Sequence, residues 1–179
     1  MILLARHGRT AENAAGRILG RRDPPLDRAG RMEAAALARA VAEVAPRALY
    51  TSPLLRARET AAAVTGATGL DAVVLDELAE SRRGAWEGRT LADLEREDPA
   101  LVAAFRAGDP GFAFPGGEST RDQTERTRAA LDRIGAGPLP AVAVTHAGII
   151  RAALALHARP VPPEADLPHG GLTRLEDAR

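Results

Sequence analysis

The sequence contains no cysteine. That removes disulfides, thiolate metal sites and cysteine nucleophiles, and it suits a reducing cytoplasm. Aromatic residues make up only 3% of the chain, too few for the base-stacking surfaces that bind single-stranded nucleic acid. Neither sign of charge is in excess. The 24 basic and 24 acidic residues give a formal net charge of +0, so bulk attraction to nucleic acid or a membrane surface is not expected, and any positive field is local. No apolar run approaches the length of a membrane span, and no basic region followed by a long apolar core opens the chain, so neither a span nor a signal peptide is expected. Repeats, low-complexity tracts and dividing linkers are missing too. What is left is 179 residues, 45% hydrophobic and 27% charged, expected to form one domain over 1–179 that buries its core without crosslinks.

Strand-like and helix-like runs alternate along this chain. Met1 to Ala5 reads as a short buried strand broken at Gly8, followed by a polar Gly/Arg/Pro-rich loop to about Asp27. Residues 28–45 place Ala34, Leu37, Val41 and Val44 at helical spacing. Ala48 to Tyr50 is a second strand, and Ser52 as N-cap with Pro53 in the first turn starts a helix expected to reach about Thr65. Val73 to Leu75 is a third strand, then an irregular polar segment runs from Asp76 to Gly88. Short helices are expected over 90–97 and 99–107, the second begun by Pro99. Ser119 and Asp122 form a capping-box pattern at the head of a helix whose inner face is Thr124, Thr127, Leu131 and Ile134. Ala141 to Thr145 is a strand feeding a helix from Ala147 to about His157, and Leu172 to Leu175 reads as a last edge strand. Continuous apolar strands alternating with helices predict a three-layer α/β/α sandwich around a mainly parallel sheet.

Two strand ends carry chemistry. Arg6-His7-Gly8 closes the first strand and Thr145-His146-Ala147-Gly148 closes the one before the last helix, both at carboxyl ends where such sheets bind ligands. A neutral imidazole can attack phosphorus, dividing one displacement into two, and arginine forks match phosphate oxygens in pairs. Arg6-His7 alone reads equally well as an exposed strand end, and His146 alone as a packed or capped histidine. Together they make a shared phosphate pocket the better explanation, with the amides of Ala147 and Gly148 free at a helix N-terminus and a protonated His146 adding charge. Arg56 lies early in the helix after the second strand, where a lone arginine is usually solvated; Arg58 reads as such a residue, pairing with Glu59 or other surface acids. A leaving alkoxide needs a proton, for which a carboxyl with a pKa raised by burial is suited, but composition does not choose among Glu77, Glu80 and Glu87.

Four separated segments, in order, resemble the histidine phosphatase (phosphoglycerate mutase-like) superfamily. They are Leu4 to Thr10 with Asn13, Thr51 to Thr60, Glu80 with Gly84 to Gly88, and Val144 to Arg151; Gly20, Pro25-Leu26 and Gly30 also match. The resemblance covers residue 1 to about 156. It implies a phosphoglycerate mutase-like fold in which His7 is the nucleophile, phosphorylated in the intermediate. Arg6, Arg56 and His146 complete the phosphate clamp, Glu80 protonates the leaving oxygen and then activates water, and Asn13 and Ala147 contact the phosphoryl group. No cofactor and no metal are implied, and the Gly8 carbonyl would fix the His7 tautomer.

The short span from Arg89 to Pro115, the Pro115 to Ser119 motif and the compact length resemble the small monophosphatases, including broad-specificity and α-ribazole phosphatases. The implied partner is a small phosphorylated substrate, with no nucleic acid or membrane; a bell-shaped pH profile is expected. A mutase, a protein phosphohistidine phosphatase and a non-catalytic phosphate binder are the alternatives. Glu118 caps or lines the pocket, or else is a first-turn residue favoured by the helix dipole. Phe112 and Phe114 form an apolar rim or pack in the core, and Trp86 is expected to pack. His169 is expected in a surface loop, His157 at a helix C-terminus, and Arg9 makes the first motif more positive than is usual in the family.

Overall fold

A computed structural model of the chain describes residues 1–109 and 111–175. Five strands, β1 (Ile2–Arg6), β2 (Ala48–Thr51), β3 (Ala72–Val74), β4 (Ala141–Thr145) and β5 (Leu172–Leu175), form one sheet in the order β3-β2-β4-β1-β5. All pairings are parallel except that of β5 with β1, so the mainly parallel sheet is as the pattern predicts.

Side chains alternate across a strand, and here the alternation feeds two cores. Leu4, Ala143 and Tyr50 face α6 (Thr120–Gly135) and α7 (Ala147–Leu156), which contribute Leu131, Ile134, Ile150 and Leu154. Leu3, Ala5, Leu49, Val142 and Val144 face the other way, toward Leu37 and Val41 of α2 (Arg28–Val44) and Ala61 and Val64 of α3 (Leu55–Thr68). A third cluster joins Trp86, Phe112 and Phe114 to Leu94 of α4 (Leu91–Glu97) and Val102 of α5 (Pro99–Ala107). Trp86, Phe112 and Phe114 are therefore packing residues rather than a substrate rim. No helix among the described residues is long and apolar enough to cross a membrane.

The sheet places the site by register. Arg6 pairs with Thr145, and Thr51 with Val144, so His7, His146 and Ser52 emerge side by side. The His7 amide donates to Thr145 O at 3.0 Å and the Ser52 amide to Val144 O at 2.9 Å, extending both ladders by one residue. From the neighbouring strands β1 and β4 the chain leaves to opposite faces, toward α2 and α7. That is the topological switch point at which a parallel sheet opens a crevice.

Three expectations need correction. The loop after Gly8 contains a one-turn helix, α1 (Ala11–Ala14), capped reciprocally by Thr10 and Asn13; four residues are too few to show an apolar period. Helix α3 has Leu54, not Ser52, as its N-cap and runs on to Thr68, where Gly69 in a left-handed conformation ends it. The Ser52 hydroxyl accepts from the Leu54 amide in a turn before the helix, and it is also claimed by His146. Strand β3 lies one residue earlier than Val73 to Leu75, and as the sheet edge it leaves Val73 and Val74 exposed.

Candidate active site

Beyond β1 only glycine fits at position 8, because a Cβ there would lie 2.3 Å from Gly30 O, in the first turn of α2. The Gly8 amide donates to Thr60 Oγ1 at 3.0 Å, and that hydroxyl donates to Arg56 O at 2.7 Å. One buried threonine thus ties the loop to the helix that carries Arg56. The Gly8 carbonyl lies 2.7 Å from His7 Nδ1; a carbonyl can only accept, so Nδ1 carries the proton and Nε2 the lone pair. Arg56 Nε–H donates to that Nε2 at 3.2 Å. Burial first, then the Arg56 charge, push the His7 pKa well below 6.5 against the opposing Gly8 bond, so the imidazole is neutral near pH 7.

Arg56 is fully buried and held from behind, with Nη2 donating to Gly20 O at 3.0 Å and Nη1 to Arg22 O at 2.8 Å. Burial lowers its pKa to about 10, which still leaves it charged at neutral pH. Arg6 donates through Nη1 to the carbonyls of Leu167 and Glu164, while its buried Nε has no hydrogen-bond partner among the described residues.

Glu80 accepts from the Ser81 amide at 2.8 Å and the Gly148 amide at 3.3 Å, with Arg83 Nη2 at 3.6 Å. Burial is the largest single influence and acts to raise its pKa. Arg83, the Ser81 amide, Arg56 and the Gly148 amide together outweigh it, so the net shift is downward. The expectation of an acid raised by burial is thereby corrected: Glu80 is a carboxylate near neutrality. The Gly148 amide is committed to it, while Ala147, at the head of α7, lines the cavity.

His146 is fully buried beside His7, ring centroids 5.0 Å apart, and is not on the cavity wall. Its Nε2 lies 2.7 Å from Ser52 Oγ, and its Nδ1 has no hydrogen-bond partner among the described residues. Burial and the nearby Arg56 push its pKa well below 6.5, so His146 is neutral rather than the imidazolium expected.

Arg6, His7, Asn13, Arg56, Glu80 and Ala147 line one cavity of about 600 Å³. Asn13 Oδ1 is occupied by the Thr10 amide and hydroxyl. Among the described residues no cluster of three or more His, Cys, Asp or Glu side chains is placed to hold a metal ion.

The family model described as "Histidine phosphatase superfamily (branch 1)" matches residues 2–176. The chain belongs to the histidine phosphatase superfamily. A bifunctional protein of Mycobacterium tuberculosis is 40% identical over 134 residues, 74% of this chain and 36% of that protein, so the chain spans little more than a third of this relative. A metal-independent phosphoserine phosphatase of Arabidopsis thaliana is 33% identical over 156 residues, 84% of this chain and 66% of that protein. The solved structure of mycobacterial glucosyl-3-phosphoglycerate phosphatase with VO3 superposes with a TM-score of 0.85 at 31% identity, covering 96% of this chain and 88% of that one.

Several residues around this superfamily site escaped the sequence reading. Ser52 and Thr60 are two of them, and the available signal for Ser52 is a hydroxyl at a strand end close to Arg56. Arg17, Arg83, Arg106 and Arg151 join the cavity wall, and Arg83 stacks over Phe114 at 4.6 Å, which ties the wall to the aromatic cluster. Glu118 is settled as structural: Arg126 grips both its oxygens, at 2.6 and 2.9 Å, while Arg126 Nη1 bonds the carbonyls of Glu77 and Ala79 just before Glu80. Arg58 is exposed as expected, but Glu59 accepts from the Leu26 amide at 2.7 Å. Arg9 pairs with Asp27 at 2.8 Å, and His157 caps α7. His169 lies in a loop, as expected, but half-buried and turned inward, with its ring centroid 5.7 Å from that of His7.

A Cβ on Gly148 would lie 2.4 Å from Glu80 Oε1 and 2.7 Å from Gln123 Nε2, both side-chain ends that can yield. Gly148→Ala is therefore expected to fold but to displace the carboxylate, lowering kcat roughly ten- to hundredfold. Steady-state kinetics beside far-UV circular dichroism checks it; unchanged kcat would mean that the position of Glu80 is not critical.

Proposed function

We propose that the chain is a phosphatase of small phosphate esters that works by two displacements at His7 and requires no metal. The observation that carries this reading is a neutral His7 whose Nε2 lone pair faces a buried arginine, on a cavity wall that also holds Glu80. Phosphoryl oxygens take N–H donors from Arg56, Arg6 and the Ala147 amide, and Arg56 Nε gives up its bond to His7. Nε2 attacks phosphorus, the bond to the ester oxygen breaks, and Glu80 protonates that oxygen. Glu80 then takes a proton from water, the water oxygen attacks phosphorus, and the P–N bond breaks to release phosphate and neutral His7.

The resting charges fit this sequence once the substrate's own charge is counted. A phosphoryl dianion beside Arg56 offsets part of the positive field of Arg83 and Arg56 that holds Glu80 down, so the Glu80 pKa rises on binding. Proton uptake thus accompanies binding, and it arms Glu80 as the acid. With Leu54 N–H on the Ser52 oxygen, the Ser52 proton is available to His146 Nε2, which leaves His146 Nδ1–H as a further donor.

The outer cavity supports a substrate whose leaving alcohol is itself anionic. Its wall carries six arginines (Arg6, Arg17, Arg56, Arg83, Arg106 and Arg151) against Glu80 and Glu164. Arg106 is paired with Glu95, but the buried Nε of Arg151 has no hydrogen-bond partner among the described residues. Phosphoserine and glucosyl-3-phosphoglycerate, the substrates named for two relatives, both carry a carboxylate beside the phosphate ester. One domain over 1–179 and a cytoplasmic setting complete the reading, supported by the span of the family match and the absence of cysteine.

The test is phosphate release in the presence of a chelator from p-nitrophenyl phosphate, phosphoserine and phosphoethanolamine. All three are expected to be hydrolysed, with kcat/KM for phosphoserine above that for phosphoethanolamine by roughly tenfold, the size of one charge-assisted contact. Release abolished by chelator, or phosphate passed to a second acceptor without net release, would overturn the metal-independent hydrolase.

A further inference from the structure

His169 lies in a loop built onto the backbone of the nucleophile. The Gly170 amide donates to Arg6 O at 3.0 Å and His7 O at 3.3 Å, and the Arg6 amide donates to Gly171 O at 3.0 Å. Gly170 sits at φ +68, where a Cβ would meet Glu33 Cβ and Glu33 O of α2, each at 3.0 Å. The loop backbone is thereby clamped between β1 and α2.

That ring stands against His7 at 5.7 Å between centroids with a 58° tilt, while His146 flanks His7 at 5.0 Å and 56°. When a phosphoryl group draws Arg56 Nε away, the Gly8 carbonyl is the one remaining hydrogen bond described for the His7 ring. One such bond sets the tautomer but lets the ring swing about it. The lateral position of Nε2 is then set by the two flanking rings, and His146 is engaged with Ser52. His169 Nε2 has no hydrogen-bond partner among the described residues, so no bond at that nitrogen competes with its packing on His7.

Resting on the reading of His7 as nucleophile, we propose that His169 is a positioning residue that holds the His7 ring in line and dry by packing against it. The charged groups around it are Arg6 at the end of β1, Arg9 and Asp27 on the loop between β1 and α2, and Glu33 on α2. Burial first, then Arg6 and Arg9 against the opposing Asp27, hold the His169 pKa at about 4. The ring is therefore neutral over the working range, and its role is steric.

Removing it lets water and motion reach His7. Because burial is the main cause of the lowered His7 pKa, His169→Ala is expected to raise that pKa toward 6.5. A p-nitrophenyl phosphate assay is expected to show kcat down roughly tenfold or more, with KM within about twofold. The acid limb of kcat/KM moves to higher pH, a shift that lost stability alone does not produce. His169→Phe, which refills the space, is expected to restore kcat and the acid limb better than His169→Asn.

Titration of the His7 ring by NMR in wild type and variants reads the same effect without turnover. Wild type inactive on every ester would sink the phosphatase reading, and the NMR titration would still judge His169. An active wild type with an unchanged His7 pKa and unchanged kcat in His169→Ala would overturn the role of His169 alone. If His169→Ala does not fold, the other two decide: Phe above Asn supports the proposal, and Asn equal to or above Phe overturns it.

Discussion

Replacing His7 by alanine is expected to lower phosphate-ester turnover by roughly ten-thousandfold or more, the usual scale for loss of a covalent nucleophile. Arg56, Arg6 and Glu80 remain in the variant, but with no lone pair at the phosphorus the reaction must find water directly. The imidazole's hydrogen-bond partners are the Gly8 carbonyl and Arg56, and Arg56 keeps its bonds to Gly20 and Arg22 without it. Circular dichroism and gel filtration should therefore match wild type. Acid-quenched wild type is expected to lose its label when exposed to labelled substrate, whereas alkaline quenching preserves it, as phosphoramidates require; the variant should carry none. Turnover of His7→Ala within tenfold of wild type would remove His7 as nucleophile.

For Glu80→Gln the expected loss depends on the leaving group. General acid catalysis contributes roughly 10²- to 10⁴-fold, and an alkyl phosphate, whose alkoxide cannot leave unprotonated, should lose that amount. p-Nitrophenyl phosphate, whose phenolate leaves without help, should lose far less in the first displacement. The pH profile follows from the same groups. Activity requires neutral His7, so it falls as pH drops through the His7 pKa; it requires protonated Glu80, so it falls as pH rises through the Glu80 pKa. Both values lie below their ordinary ones, which puts the optimum of kcat/KM on the acid side of 6.5. Glu80→Gln should abolish the alkaline limb. In wild type the alkaline limb of kcat should lie at higher pH than that of kcat/KM, because bound phosphoryl charge raises Glu80. Equal losses on both esters, with the alkaline limb intact, would assign the proton to another group.

Much of this site is local, and local features are readable. An apolar run ended by Gly8 exposes Arg6 and His7 at a strand mouth, and a second such run does the same for His146. Both follow from hydrophobic patterning and the change of residue type that ends each run. Helix α2 was legible from apolar spacing, α6 from its capping box and inner face, and α5 from Pro99. Helix α1 was not, since its single turn rests on one reciprocal cap rather than on a pattern.

What only the tertiary structure decided is which groups share an environment. The start of α3 moved because the Ser52 hydroxyl is drawn to His146, a partner supplied by the register of β2 on β4. His169 lies against His7 because β5 pairs antiparallel with β1 and returns the preceding loop to Arg6 and His7. Arg126 and Glu118 brace the segment before Glu80 across three elements that no spacing connects. Protonation was the least legible property. A sequence names the carboxyl and the imidazoles, but a pKa is set by burial and by every charge nearby, so Glu80 is ionised and His146 neutral for reasons that exist only in the folded chain. Residue types and local breaks determined the reaction's parts; strand register and burial determined how those parts are charged and which of them touch.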